Sequence, residues 1–223
     1  MNQGALALNI LKFLAPAVPM TVAVTVLSFT LALILGLAVG LSQISGCRPM
    51  VLLAKGYVDV LRGVPLLVQI FFIYFGLGGL LNLERFAAGV LAIGICYSAY
   101  LAEIIRSGIE SIARGQHEAA ASLGMSNAQA LRFVILPQAT RVIIPPAANE
   151  FIACLKDSSL VSIIGLRELT RAGREYYSQY FVDFQTWLLV GVVYLCMTLL
   201  LTKLTRHLEH RFAVRGFGMG VRR

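Results

Sequence analysis

Glu118–Pro137 reads EAAASLGMSNAQALRFVILP, a polar stretch between two long apolar runs. Gln116–Leu123 is rich in alanine and favours helix. Gly124 ends that helix, as glycine does at a helix C-terminus, and Ser126 or Asn127 caps the next one. The stretch therefore predicts a short helix, a sharp turn and a second helix leading into the following apolar run. Ala119, Ala120 and Ala121 leave a flat surface that another body can approach closely. Glu118 is expected in the first helical turn, where the dipole favours an acid. Composition alone favours reading the same stretch as an ordinary connecting loop.

The surroundings give the stretch its meaning. Of 223 residues, 58% are hydrophobic and 13% are charged, and the mean hydropathy is +0.78. Soluble domains carry about a quarter charged residues, so the composition is that of a membrane protein. The net charge of +8 sits in loops and in the tail, with no aromatic and basic groove pattern, which argues against nucleic acid. Cys47, Cys96, Cys154 and Cys196 form no CxxC, and buried inert thiols are expected. His207 and His210 are three apart near the basic C-terminus and read as a solvated helix face, not a metal pair. The segment 1–19 lacks a charged start followed by a cleavage site. A short surface helix is expected there.

Apolar runs of roughly 20 residues cross a bilayer core. Five are predicted, at about 18–41, 64–81, 86–105, 134–155 and 187–204, making one all-α, polytopic transmembrane domain over 1–223. The first has Gly36 and Gly40 at a spacing that allows close helix packing. The second carries Gln69, and the fifth opens on Trp187. The fourth contains Pro145 and Pro146, expected to kink it. Basic residues collect on the inner side of membranes. With the C-terminus inside, inner segments hold Arg48, Lys55, Arg62, Arg106, Arg114, Arg132 and the tail residues Lys203, Arg206, Arg211, Arg215, Arg222 and Arg223. Outer segments hold half as many: Lys12, Arg85, Lys156, Arg167, Arg171 and Arg174. The expected topology is N-terminus outside and C-terminus in the cytoplasm, with a cytoplasmic loop at about 107–133 containing the opening stretch.

EAA, then Gly124, then nine residues, then VILP resembles the EAA signature of ABC importer permeases. Val134 stands where relatives more often have isoleucine. YVDVLRGVPLLVQIFFIYFG from Tyr57, AYLAEIIRSGIESIARGQHEAA from Ala99, ILPQATRVIIPPAANEFI from Ile135 and KDSSLVSIIGLRELT from Lys156 are similar to the polar amino-acid branch. The resemblance covers nearly all of the chain after the first span. It implies a type I ABC importer permease fold in the bacterial inner membrane. It also implies a second permease subunit, identical or similar, an extracytoplasmic amino-acid-binding protein and a cytoplasmic ABC ATPase subunit that carries ATP and Mg. The chain has no GxxxxGK[ST] phosphate loop, so no catalytic residue, cofactor or metal is expected in it. Glu118, Ala119, Ala120 and Gly124 would couple it to the ATPase, and Pro137 would break the helix at the start of the fourth span.

Charged side chains within spans are costly and mark function. Glu150 and Asp157 are seven apart, as are Asn149 and Lys156, so each pair shares a helix face. Two acids, a lysine and an amide suit the ammonium and carboxylate of an amino acid, with a lean toward arginine, lysine or histidine. Glutamine, glutamate or another small polar solute is the alternative. A structural cluster in which Lys156 neutralises Asp157 is an equal reading. Glu103 and Arg106, three apart, are expected to pair with each other or across helices. The outer segment 158–186 is long for a connector. Its 163–169 portion is expected as a re-entrant or surface helix, and 167–175 as a landing surface for the binding protein. A membrane enzyme would need a nucleophile and base, or metal ligands, in the spans. An ion-coupled transporter would show internal repeats and more spans.

Overall fold

The computed structural model describes the backbone of residues 3–212 and the side chains of 4–205. Arg215, Arg222 and Arg223, and the side chains of Arg206, His207, His210 and Arg211, lie outside the described residues. Helix α1 (Gln3–Leu14) passes through a tight turn (Ala15–Ala17) into α2 (Val18–Gln43). Pro16 and Pro19 fall at first-turn positions, where a missing N–H costs nothing, so 4–43 forms one 40-residue helical run. The expected surface helix is therefore the start of this run, and its Ile10 and Leu14 are wholly buried.

The second predicted span is half of a broken one. Helix α3 (Arg48–Gly63) and the helical stretch Leu66–Leu81 meet at a 102° bend. That stretch consists of α4 (Leu66–Phe71), a widened turn (Phe72–Leu77) and α5 (Gly78–Leu81). Pro65 forces Val64 into an extended conformation (φ −104°, ψ 130°), as the residue before a proline prefers. Gln69 donates its amide to the carbonyls of Leu61 and Val64 at 2.8 and 2.9 Å. It thereby satisfies acceptors exposed by the break, which lipid cannot do. The apolar run 64–81 is long enough to imitate a complete span, and the charges of α3 hide the other half. Arg48, Lys55 and Arg62 thus lie on a packed helix and not in a loop.

Helix α6 (Arg85–Glu110) is the central post. It packs along α2 where side chains are smallest. A Cβ on Gly36 would lie 2.8 Å from Leu101 Cβ and 3.0 Å from the Ser98 carbonyl; on Gly40 it would lie 2.9 Å from the Ala102 carbonyl. Around this contact Val24, Ala32, Ile70, Ala92, Ile93 and Leu101 form the main core. Helix α7 (Arg114–Ser122) and α8 (Asn127–Ala130) come next, then a widened π turn (Leu131–Ile135) and α9 (Leu136–Asp157). Pro137 does not break the helix. Its ring would strike the Phe133 carbonyl in a regular helix, and the wider turn, with Leu136 N–H bonded to the Leu131 carbonyl, carries the chain past it. Helix α9 also continues through Pro145 and Pro146.

A tight turn (Ser158–Ile164) leads to α10 (Leu169–Tyr180) and α11 (Asp183–Phe212). The expected 163–169 helix is displaced to 169–180, because Gly165 turns left-handed (φ +85°) and Glu168 caps the helix that begins at Leu169. By length and apolarity, 4–43, 85–110 and 183–205 can each cross a membrane, as can the broken pair counted as one span. Helix α9 has the length, 22 residues, but is more polar. Cys96 and Cys154 are buried, whereas Cys47 and Cys196 are exposed, and all four thiols are free.

Candidate functional site

Helix α9 carries the acids. Asp157 is half-buried and accepts a hydrogen bond from the Tyr97 hydroxyl at 2.8 Å. Glu150, also half-buried, lies two helical turns away on the same face. Asn149 and Lys156 share a neighbouring, exposed face. Among the described residues Lys156 makes no ion pair, so the acid is held by a tyrosine and not by a lysine.

Two neighbours are invisible in the linear pattern. Arg62, the last side chain before the break in the second span, lies over the Tyr100 ring at 5.4 Å. The Tyr100 and Tyr97 rings are 5.9 Å apart. A line of groups therefore runs from the break through Arg62, Tyr100 and Tyr97 to Asp157. It offers a cation, aromatic faces and carboxylates, the complements of an amino acid's carboxylate, carbon skeleton and ammonium. Pro65 is the available signal, since it marks where a helix must end. The tyrosines, one turn apart on an apolar helix, give none.

The opening stretch forms a second polar site at the end of the bundle where α6 stops. Helix α7 closes on a Schellman turn: Met125 N–H bonds to the Ala120 carbonyl at 3.1 Å and Gly124 N–H to the Ala121 carbonyl at 2.9 Å. Gly124 has φ +75°. Ser126 then caps α8 in a reciprocal box with Gln129. Since α7 starts at Arg114, Glu118 falls in its middle and not in the first turn; its carboxylate meets Arg114 Nε at 3.2 Å, both exposed. Ala120 is buried, whereas Ala119, Ala121 and Leu123 face outward, Leu123 at 78% exposure. Gln138 of α9 donates to Gln116 of α7 at 3.2 Å and to the Val134 carbonyl at 2.8 Å.

At this same end Arg106 pairs with Glu103 and Glu110 along α6. At the opposite end α10 presents a shallow groove lined by Arg171, Arg174, Glu175, Ser178 and Gln179. Glu175 pairs with Arg167 at 2.7 Å and with Arg171 at 3.4 Å.

Comparison with known proteins gives the chain a family. Residues 32–214 match the family described as binding-protein-dependent transport system inner membrane component. The glutamine transport system permease protein of Escherichia coli K12 is 38% identical over 89% of this chain and 95% of its own length. The arginine transport system permease protein of Bacillus subtilis is 34% identical over 90% and 93%. A solved amino acid ABC transporter with histidines superposes with a TM-score of 0.86 at 41% identity, covering 92% of this chain and 96% of its own. An inward-facing methionine ABC transporter shares the fold at 18% identity, with a TM-score of 0.79 and coverage of 92% and 99%. With most of its length matched, the chain belongs to the family of amino-acid ABC transporter permeases of the inner membrane.

Proposed function

We propose that this permease passes a polar amino acid along α9 and is driven by an ATPase docked on α7. The observation that carries the reading is that α9 joins the two sites. It holds Glu150 and Asp157, and Gln138 near its start is bonded to α7. The α7 end then faces the cytoplasm and the α10 end faces outward, with the N-terminus outside and the C-terminus inside. Asp157 and Glu150 receive the ammonium. Arg62, beside Tyr100, receives the carboxylate. The groove on α10 meets the binding protein. ATP and Mg belong to the ATPase chain, and a second permease subunit completes the pathway.

ATP-driven closure of the ATPase pair would move α7, and the α8–α9 rod would carry that motion to the acids. The bundle thus shifts between two packings. Ala119, Ala121 and Leu123 form the docking face, with Glu118 and Arg114 as its polar edge. Glu103 and Arg106 act as a structural brace on α6. Asn149 and Lys156, on the exposed face of α9, are assigned to the wall of the path shared with the second subunit.

Two acids favour a basic amino acid as cargo. Glutamine is the second reading, favoured by the likeness to the glutamine permeases. Glu150→Gln separates binding from coupling. In proteoliposomes with the ATPase and binding protein, it should raise the apparent KM for arginine roughly 10- to 100-fold, the value of one charge-assisted contact. ATPase assembly should stay intact. Unchanged uptake would make Glu150 structural. Competition by unlabelled glutamine but not arginine would select the second reading.

A further inference from the structure

A cleft at the α7 end lies between the end of α2, the C-terminal half of α3 and the end of α6. Its volume is about 270 Å³, and Gln43, Lys55, Asp59, Arg62, Glu103 and Arg106 line it. That is just under the size, about 300 Å³, at which sites for drug-sized ligands begin. Gln43 is only 7% exposed, and its buried Nε2 has no hydrogen-bond partner among the described residues. A buried amide donor without an acceptor is costly.

Three of the charges that line the cleft with Gln43 make no ion pair among the described residues. These three, Lys55, Asp59 and Arg62, stand at i, i+4 and i+7 along α3, a stripe of cation, anion and cation. Arg106 is held by Glu103 and Glu110. The cleft therefore offers an anion two cations and an amide donor, and offers a cation a free carboxylate. Asp59 and Glu103 would repel a phosphate or polyphosphate. A zwitterion satisfies the groups the α9 site does not use: its acidic end meets Gln43 Nε2 and Lys55, and its ammonium meets Asp59, while Arg62 stands between the two sites.

We infer that this cleft is a second amino-acid site, which holds the zwitterionic backbone of the transported molecule on its way into the cytoplasm. The inference rests on the orientation proposed above. Arg62 borders both this cleft and the Tyr100 ring, so one cation faces the α9 acids and the exit. A phosphatidylethanolamine headgroup carries the same pair of charges and is the rival occupant.

The test counts bound ligands. The permease–ATPase complex is placed in nanodiscs of phosphatidylglycerol, which brings no ammonium, and dialysed against radiolabelled arginine or glutamine at about millimolar concentration. Two amino acids should bind per permease chain. Lys55→Met and Asp59→Asn, both on exposed side chains that folding does not need, should each remove one or weaken it at least tenfold. Glu150→Gln should remove only the other. Two ligands retained in Glu150→Gln and one lost in Asp59→Asn would overturn the α9 site and leave the cleft standing. A single ligand in the wild type that survives both α3 variants would overturn the cleft. So would loss of the cleft ligand when phosphatidylethanolamine replaces phosphatidylglycerol, because a lipid then owns the site.

Discussion

Each end of the bundle bears a short polar helix, α7 with 9 residues and α10 with 12, and the two are held in opposite ways. Helix α10 is part of the core. Leu169 and Ala172 are wholly buried, and a Cβ on Gly173 would come within 2.6 Å of Val190. Tyr176 meets Phe13 edge-on at 5.3 Å. The acid capping α10, Glu168, is itself wholly buried and accepts from Thr170 N–H, Arg171 N–H and the Tyr194 hydroxyl at 2.7–2.9 Å. Helix α7 buries Ala120 alone and leaves Leu123 exposed. It owes its shape to local devices: a Schellman turn that leads directly into the capping box of α8, and one side-chain bond to α9. A helix stabilised by its own chain is a fixed fixture, whereas one stabilised only at its ends is free to complete its packing on another body.

The sharpest way to break the comparison is to remove the acid that locks α10. Glu168→Ala leaves two part-buried amides and a tyrosine hydroxyl without their acceptor, and should cost about 3 kcal/mol of stability. The thermal midpoint of the purified permease in mild detergent measures it. Glu168 also predicts a pH slope. Burial pushes its carboxyl above the ordinary glutamate value, against the pull of the Thr170 and Arg171 amides and the Tyr194 hydroxyl. The folded protein then keeps a proton that the unfolded chain has already released. Stability from this group is present below the ordinary glutamate value and is lost as pH rises through the folded value. Glu168→Gln should flatten that slope. A slope unchanged in Glu168→Gln would assign it to another group.

The same contrast explains what is legible in the sequence. The α7 turn is readable because Gly124, Ser126 and Gln129 act on backbone atoms within a few residues of themselves. The glycines of α2 announce a close contact, although their partner, α6, lies some 60 residues along the chain. Local reasoning fails where an element's neighbours decide. Helix α1 looks like a surface helix because nothing in its sequence shows that Ile10 and Leu14 meet α10 and α11. The second span falls at 64–81 because hydropathy rewards the apolar half and ignores α3, whose Tyr57 hydroxyl bonds Ser98 of α6 at 2.7 Å. Asp157 stands out by its charge, while Tyr97, which holds it, carries no signal of its own on an apolar helix.

A middle-sized effect tests the other end. Gly124→Val places a β-branched residue at φ +75°, a strain of about 1–2 kcal/mol. Little else contacts Gly124, since an added Cβ would meet nothing within 4 Å. The global unfolding midpoint should therefore fall by only a few degrees, less than in Glu168→Ala, while substrate-stimulated ATP hydrolysis falls. Glu118→Lys should have the same functional effect with no strain, because its carboxylate is exposed. A large drop in thermal midpoint for either variant would show α7 to be as integral as α10.

The smallest expected effect falls on the bond between the two proposed sites. Gln138→Ala removes an exposed 3.2 Å contact to Gln116 and a 2.8 Å contact to the Val134 carbonyl. Such exposed or part-buried bonds contribute about 0.5–1 kcal/mol each, too little to unfold anything. The consequence should instead appear in stoichiometry. With α7 less firmly tied to α9, more ATP should be hydrolysed per amino acid imported, at unchanged KM. The double variant Gln116→Ala, Gln138→Ala should be no worse than Gln138→Ala, because both changes delete the same contact. An unchanged ratio would mean that α7 drives α9 through the α8 rod alone. The π turn at Leu131–Ile135, between α8 and α9, would then be the joint through which the motion passes.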